Sequence, residues 1–427
     1  SAISNDFEPV YGAPLDVLKE QQPSFLNLLG SVKSKIKARS ACQEIIDRAF
    51  FPTQFSNLVV AQIAPKVKEL VSKYSWSYGK DQMRLNVVQQ VIIPICMGWI
   101  SDQLGFPLKT KDNPRGLLTP HQLYDALCEA YTYVHLNYDA TQGFKLRNSV
   151  VKNTSVLKLV IDFRLAEANG TSSKVHDLAQ DVKQILLGEK SGQGVVMSNN
   201  ARKLYDRVLE NTSRPLDEIA DTLLFSMINF VSSVTACAKS IDFYLRPENA
   251  AFLRDLHTQT VTDVGLANDS TIQHYVNEAL RLDPAVGGFV RQARSSVQLG
   301  GGAHPVQVKA GNLVYIDWTK VNLDPQAFPQ PSQVKLDRDP TLYKLSEPGI
   351  RSSRAEGLNT IIATGVAKSF FSLSDLARAP GASGRLGAVH NTISGPAHTL
   401  TTFIIPKEQR FSFFPQSQEV IYSTLKR

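Results

Sequence analysis

The segment from Pro215 to Leu245, PLDEIADTLLFSMINFVSSVTACAKSIDFYL, constrains this chain more than any other. Its charges lie near its ends and its middle is almost continuously apolar, so no face of it is suited to water. It reads as one long helix running through a core, and it requires other helices to enclose it. Pro215 suits the start, where a missing amide hydrogen costs nothing. Asn229, Ser232, Ser233 and Thr235 interrupt the apolar run. Small polar groups in such a place either bond back to their own helix or line a pocket, and these four are the pocket candidates.

The rest of the chain supplies the enclosing helices. From Pro23 to about Ser75 apolar residues recur at three- and four-residue spacing, as in FLNLLGSVKSKI and ACQEIIDRAF. A second helical stretch covers Leu85 to Leu104, the Pro- and charge-rich KTKDNPRG forms a loop, and another helix opens around Thr119. After Asp283-Pro284 the texture becomes Gly-rich and alternating. Val306, Val308, Val314 and Ile316 alternate with polar residues as in short strands. A Pro-punctuated stretch then leads to a last helix, about Gly357 to Phe371, and a strand-rich tail. Helices first and small sheets late describe a mostly α (α+β) single domain over residues 1–427, with a divergent N-terminal segment over 1–40. At 427 residues and 43% hydrophobic content, the chain can bury one large core.

The formal charge of +7 and pI near 9.1 come from Lys and Arg interspersed with Asp and Glu, which is a solvated surface and predicts no nucleic-acid partner. Cys42, Cys96, Cys128 and Cys237 stand far apart, without zinc-site or disulfide-framework spacing, and predict a reducing, cytoplasmic setting. No run of about 18 uncharged apolar residues is present, so no membrane span is expected. His390 and His398 fall in a predicted hairpin after the last helix, and no histidine spacing suits a metal.

Glu278 and Arg281, in HYVNEALRLDP, stand at an i, i+3 spacing that puts carboxylate and guanidinium on one helical face. Downstream, FPQPSQVKLDR offers Arg338 as a second guanidinium for the same carboxylate. That order resembles the Glu-x-x-Arg helix and Arg meander of cytochromes P-450, in which the three residues are structural. FPLKTKDNPRGLLTPHQLYDAL, HYVNEALRLDPAVGGFVRQA, LARAPGASGRL and FSFFPQ look like the P-450-type domain of fungal linoleate diol synthases and psi-factor-producing oxygenases. This similarity runs from about Ala41 to the C-terminus.

The resemblance implies a cysteine-ligated haem that isomerises a fatty-acid hydroperoxide, and the sequence departs from it at several points. Counting back from the last helix puts the haem-binding loop on PGIRSSRAEG, with Gly349 and Gly357 in the places of the family's glycines and Ala355 in the place of its cysteine. A methyl group neither binds iron nor supplies the electron density that promotes cleavage of an oxygen–oxygen bond. Ala41 and Cys42 stand where the family has a His or Gln gripping a haem propionate with an Arg, although Arg291 remains to bind one propionate. Thr235 lacks the neighbouring acid of oxygen-activating relatives. The related isomerases position the peroxide with an amide in this helix, where gapless comparison puts Ser232 or Ser233, and Asn229 is the amide nearby. The cluster AYTYVHLNYD places His135 near the substrate cavity, as a neutral-range base.

The resulting expectation is a haem-less P-450-like enzyme, with no cofactor and no metal, that isomerises, cyclises or dehydrates a hydrophobic lipid-like or secondary metabolite. It is an isomerase, cyclase or lyase in place of a monooxygenase. His135 and Asn229 are its catalytic candidates, and Ser232, Ser233, Thr235 and Arg291 its substrate-binding candidates. Two alternatives stand beside it: a haem b hydroperoxide isomerase with a non-cysteine ligand, and a non-catalytic lipid-binding or partner protein.

Overall fold

The structure is a computed structural model that describes residues 7–9, 44–51, 55–136, 140–171, 196–210, 212, 214–262, 267–300, 305–339, 342–343, 352–393, 398–405 and 410–424. Strand β1 (Phe7–Pro9) is followed by a helical turn over 44–50 and by helix α1 (Phe55–Tyr74). Strands β2 (Trp76–Ser77) and β3 (Gln82–Asn86) lead through a π-helical turn, Val88–Ile92, into α2 (Ile93–Leu104). Helices α3 (Pro120–His135), α4 (Ala140–Ala168) and α5 (Asn199–Leu209) follow. The central helix comes next, in two pieces, α6 (Leu216–Asn229) and α7 (Val231–Tyr244). Helices α8 (Ala250–Val261) and α9 (Ala267–Leu282) complete the helical part.

Strands β4 (Gly288–Ala293), β5 (Val297–Leu299), β6 (Val306–Val308) and β7 (Leu313–Asp317) then precede the short α10 (Trp318–Val321) and the long α11 (Ser352–Phe370). The tail consists of β8 (Ser374–Arg378), β9 (Ala388–Ile393), β10 (His398–Ile405), β11 (Arg410–Ser412) and β12 (Glu419–Ser423). The sheets are small and antiparallel: β1-β4-β7, β11-β10-β9, β2-β3-β12-β8 and β5-β6. The fold is mostly helical, with a long bent central helix and small sheets.

The stretch Leu85–Leu104 is not one helix. Leu85 and Asn86 pair with Val420 and Glu419 of β12, and the chain turns at Asn86, whose Oδ1 accepts the Gln89 backbone N–H at 3.1 Å. A strand partner more than three hundred residues away overrides the local helical spacing.

Every residue of α7 is buried. The span Leu216–Tyr244 has a mean hydropathy of 1.4 over its most apolar window, with 89% of that window inside the molecule, which marks it as the core helix of the fold. Helix α11 packs on α7, α9 and α1. Gly365 eases the close approach between α11 and α1, since a Cβ there would lie 3.0 Å from the Ile63 Cβ and Ile63 would have to shift.

Candidate functional site

The central helix breaks at Phe230, and its own hydroxyls account for the break. Thr222 and Ser226 donate their side chains to the carbonyls four residues back at 2.8 Å, and Ser232 Oγ donates to the Asn229 carbonyl at 2.7 Å. Such back-bonding loosens and bends a helix. The Phe230 N–H is shared between the Ser226 and Met227 carbonyls, and the Ser233 N–H reaches back only three residues, to Phe230, at 2.9 Å. Phe230 anchors the turn by stacking on Trp99 of α2 at 5.3 Å between ring centroids.

The break brings two of the sequence-derived candidates together. His135, the last residue of α3, donates from Nε2 to Oδ1 of Asn229 at 2.9 Å, the tautomer being fixed by a carbonyl oxygen that can only accept. The imidazole packs against Tyr131 at 4.4 Å and edge-on to Phe225 at 5.5 Å between centroids. His135 and Asn229 are both half-buried. Asn229 Nδ2 has no hydrogen bond among the described residues. Tyr133 is buried nearby on the same helix, and Tyr138 lies outside the described residues.

Asn359 of α11 was not singled out by sequence. Its Nδ2 donates to Ser232 Oγ at 2.9 Å and its Oδ1 accepts from Ser233 Oγ at 2.5 Å. Ser232 and Ser233 are therefore committed to the break and to Asn359, and they are buried. Thr235 is 1% exposed, and its hydroxyl has no hydrogen-bond partner among the described residues. No local signal identifies Asn359, because both of its contacts lie more than 120 residues away.

Glu278 and Arg281 are completely buried on α9. Arg281 Nε and Nη2 donate to the two carboxylate oxygens at 2.7 and 2.9 Å, and Arg338 Nε lies 3.3 Å from Glu278 Oε1. The carboxylate also accepts from the Tyr343 hydroxyl at 2.9 Å and from the Lys335 backbone N–H at 2.8 Å. Arg281 further binds the carbonyls of Asn322, Pro331 and Gln333, which ties α9 to the loop after α10. Every lone pair is engaged, so this network fixes packing and offers nothing to a substrate.

Arg291, on β4, is buried at 6% exposure, with Nη1 donating to the Val290 carbonyl at 3.3 Å. Gly349 lies outside the described residues, as do Ala41 and Cys42. Ala355 is not in a loop, because α11 already begins at Ser352. The cysteines that sequence spacing separates are partly neighbours in space: Cys96 of α2 contacts Cys237 of α7, and burial, then this contact, pushes the Cys96 thiol up. Cys128 is also buried. The strands bearing His390 and His398 pair as a hairpin, and no His/Cys/Asp/Glu cluster suited to a metal exists among the described residues. A cavity of about 140 Å³ lies elsewhere, between α1, α9 and α11, and none of the candidates lines it.

No family model matches the chain. It is 24% identical over 358 residues to psi-producing oxygenase A of Aspergillus fumigatus, covering 82% of this chain and 31% of that protein. It is 26% identical over 288 residues to linoleate 10R-lipoxygenase of the same species, covering 66% and 24% of the two chains. A bifunctional dioxygenase–epoxy alcohol synthase of Pyricularia oryzae is 22% identical over 346 residues, covering 78% and 28%. The chain thus spans about three tenths of the length of the first of these relatives.

Among solved structures, P450BioI in complex with hexadec-9Z-enoic acid ligated acyl carrier protein superposes with a TM-score of 0.61 at 15% identity, covering 99% of this chain and 88% of that one. CYP109E1 from Bacillus megaterium in complex with testosterone gives 0.60 at 16%, covering 97% and 91%. The CYP116B5 heme domain of Acinetobacter radioresistens gives 0.57 at 12%, covering 98% and 83%. The chain has the cytochrome P-450 fold.

These comparisons overturn the expectation of a protein without a cofactor, since structures sharing the fold are cytochromes P-450 and one is a haem domain. The donor set fits haem on one count and departs from a thiolate site on another. Arg291 is a buried cation of the kind that an anionic cofactor edge requires. The three described cysteines are all buried in the helical core, and no cysteine follows Cys237.

Proposed function

We propose that this chain is a haem-binding isomerase of fatty-acid hydroperoxides whose iron ligand is not cysteine. Its similarity to fungal fatty-acid oxygenases supports the substrate class. The observation that carries the reading is the His135–Asn229 pair at the break of the central helix: a neutral carboxamide, fixed by an imidazole, with neither amide hydrogen bonded among the described residues. Such a group recognises a neutral oxygen function and has no charge with which to attract a carboxylate.

Haem bound here would supply the iron that cleaves the peroxide bond, without the electron donation of a thiolate. An isomerisation conserves every atom of the hydroperoxide and needs no external reductant. In this reading Asn229 Nδ2 donates to the peroxide oxygens and holds them in one orientation. His135 keeps the carboxamide from rotating, and its ring extends the apolar wall formed by Tyr131 and Phe225. Arg291 would be the residue to hold a propionate.

The test is purification from haem-replete cells, followed by iron content, the absorbance spectrum and consumption of linoleate hydroperoxide. The expected result is turnover in proportion to bound haem. Preparations that carry no haem, or that carry haem and leave the hydroperoxide untouched, overturn the reading. Lipid that co-purifies without turnover identifies a carrier in place of an enzyme.

A further inference from the structure

Asn229 is held from two directions. His135 grips its side chain, and Ser232 Oγ, at 2.7 Å, grips its backbone carbonyl. A serine hydroxyl that both donates and accepts is directed by its donor, and here the donor is Asn359 Nδ2, at 2.9 Å, from a different helix. Asn359 is fixed in turn by Ser233, the next residue of the broken turn. One carboxamide of α11 thus straddles the break and bonds both hydroxyls that follow it. At Phe230 the helical hydrogen bond is shared between the Ser226 and Met227 carbonyls, and the Ser233 N–H reaches back only to Phe230, so the end of α6 is held less tightly than a regular turn.

We propose that Asn359 is a positioning residue that sets the direction of the Asn229 carboxamide through Ser232. The inference rests on the hydroperoxide reading above, because it concerns how sharply the site distinguishes a peroxide from the same chain without one. It also gives α11 a second role. Asn359 lies one turn after Ala355, so a shift at the start of α11 is transmitted to the carboxamide by the Asn359–Ser232–Asn229 string. The bonded string contains no Lys, Arg, Asp or Glu, which keeps its preference for an uncharged oxygen group.

The test is binding, independent of turnover: displacement of a fluorescent fatty acid from the full chain by linoleate hydroperoxide and by linoleate. The wild-type protein should prefer the hydroperoxide. Asn359→Leu and Ser232→Ala should each reduce that preference about three- to tenfold, the loss of one ordering hydrogen bond. The double variant should lose no more than either single variant, since both cut the same string. Ser232→Thr, which keeps the hydroxyl, should restore it. Affinity for linoleate should persist throughout and shows that each variant has folded.

A wild-type preference that survives Asn359→Leu, or that falls additively in the double variant, overturns this inference and leaves the proposed function standing. Absence of any preference in the wild-type protein overturns the hydroperoxide reading itself, and the positioning role with it.

Discussion

His135 Nε2 and Asn229 Oδ1 meet at 2.9 Å across 94 residues of sequence, joining the end of α3 to the break in the central helix. His135→Phe would keep the ring contacts with Tyr131 and Phe225 and remove this bond, leaving the Asn229 oxygen without its imidazole donor. The expected loss of hydroperoxide affinity is about two- to tenfold. Asn229→Leu, which removes the donors as well, should lose more than His135→Phe. Displacement titrations measure both, and equal affinity in His135→Phe and wild-type protein would show that the imidazole does not set the carboxamide.

Glu278 sits at 0% exposure between Arg281 and Arg338. Glu278→Ala leaves two buried guanidinium groups without their shared carboxylate, a change that costs about 3–5 kcal/mol. The chain should lose stability in urea by that amount, or fail to accumulate as a folded species. A cost under about 1 kcal/mol would contradict the burial and hydrogen bonding of this network.

How much was legible in the sequence depended on whether the cause was local. The central helix was legible because a segment apolar all round has no alternative to burial, and Glu278 and Arg281 because i, i+3 spacing puts them on one face. The break at Phe230 was not, since it arises from Thr222, Ser226 and Ser232 each donating to a backbone carbonyl of the central helix. Leu85 looked helical until β12 supplied its strand partner. Asn359 had no local signature, because its two bonds connect residues far apart in the chain. The neighbourhood of Cys96 and Cys237 was likewise a product of helix packing, which their spacing does not encode.

Asp283 predicts an acid limb in the stability profile. Burial acts to raise its pKa, but Lys239 and Arg246 outweigh it, and the folded-state value is lowered. A carboxyl depressed on folding contributes stability that is present above the unfolded value of about 3.9 and is lost as pH falls through the folded one. The melting temperature should therefore fall as pH is lowered below about 4. Asp283→Asn should be less stable at neutral pH and flatter across that window. An unchanged acid slope in the variant would assign the limb to other carboxylates.

Helix α3, which delivers His135, begins with a complete capping box. The Gln122 backbone N–H donates to Thr119 Oγ1 at 3.2 Å, and the Thr119 backbone N–H donates to Gln122 Oε1 at 3.0 Å, with Pro120 as the first helical residue. Thr119→Ala removes one arm and should cost about 1 kcal/mol of global stability. The cap lies at the opposite end of α3 from His135, so hydroperoxide preference should persist while the urea midpoint falls. A loss of preference with no change in midpoint would mean that the start of α3 acts on the site through the helix, beyond holding it folded.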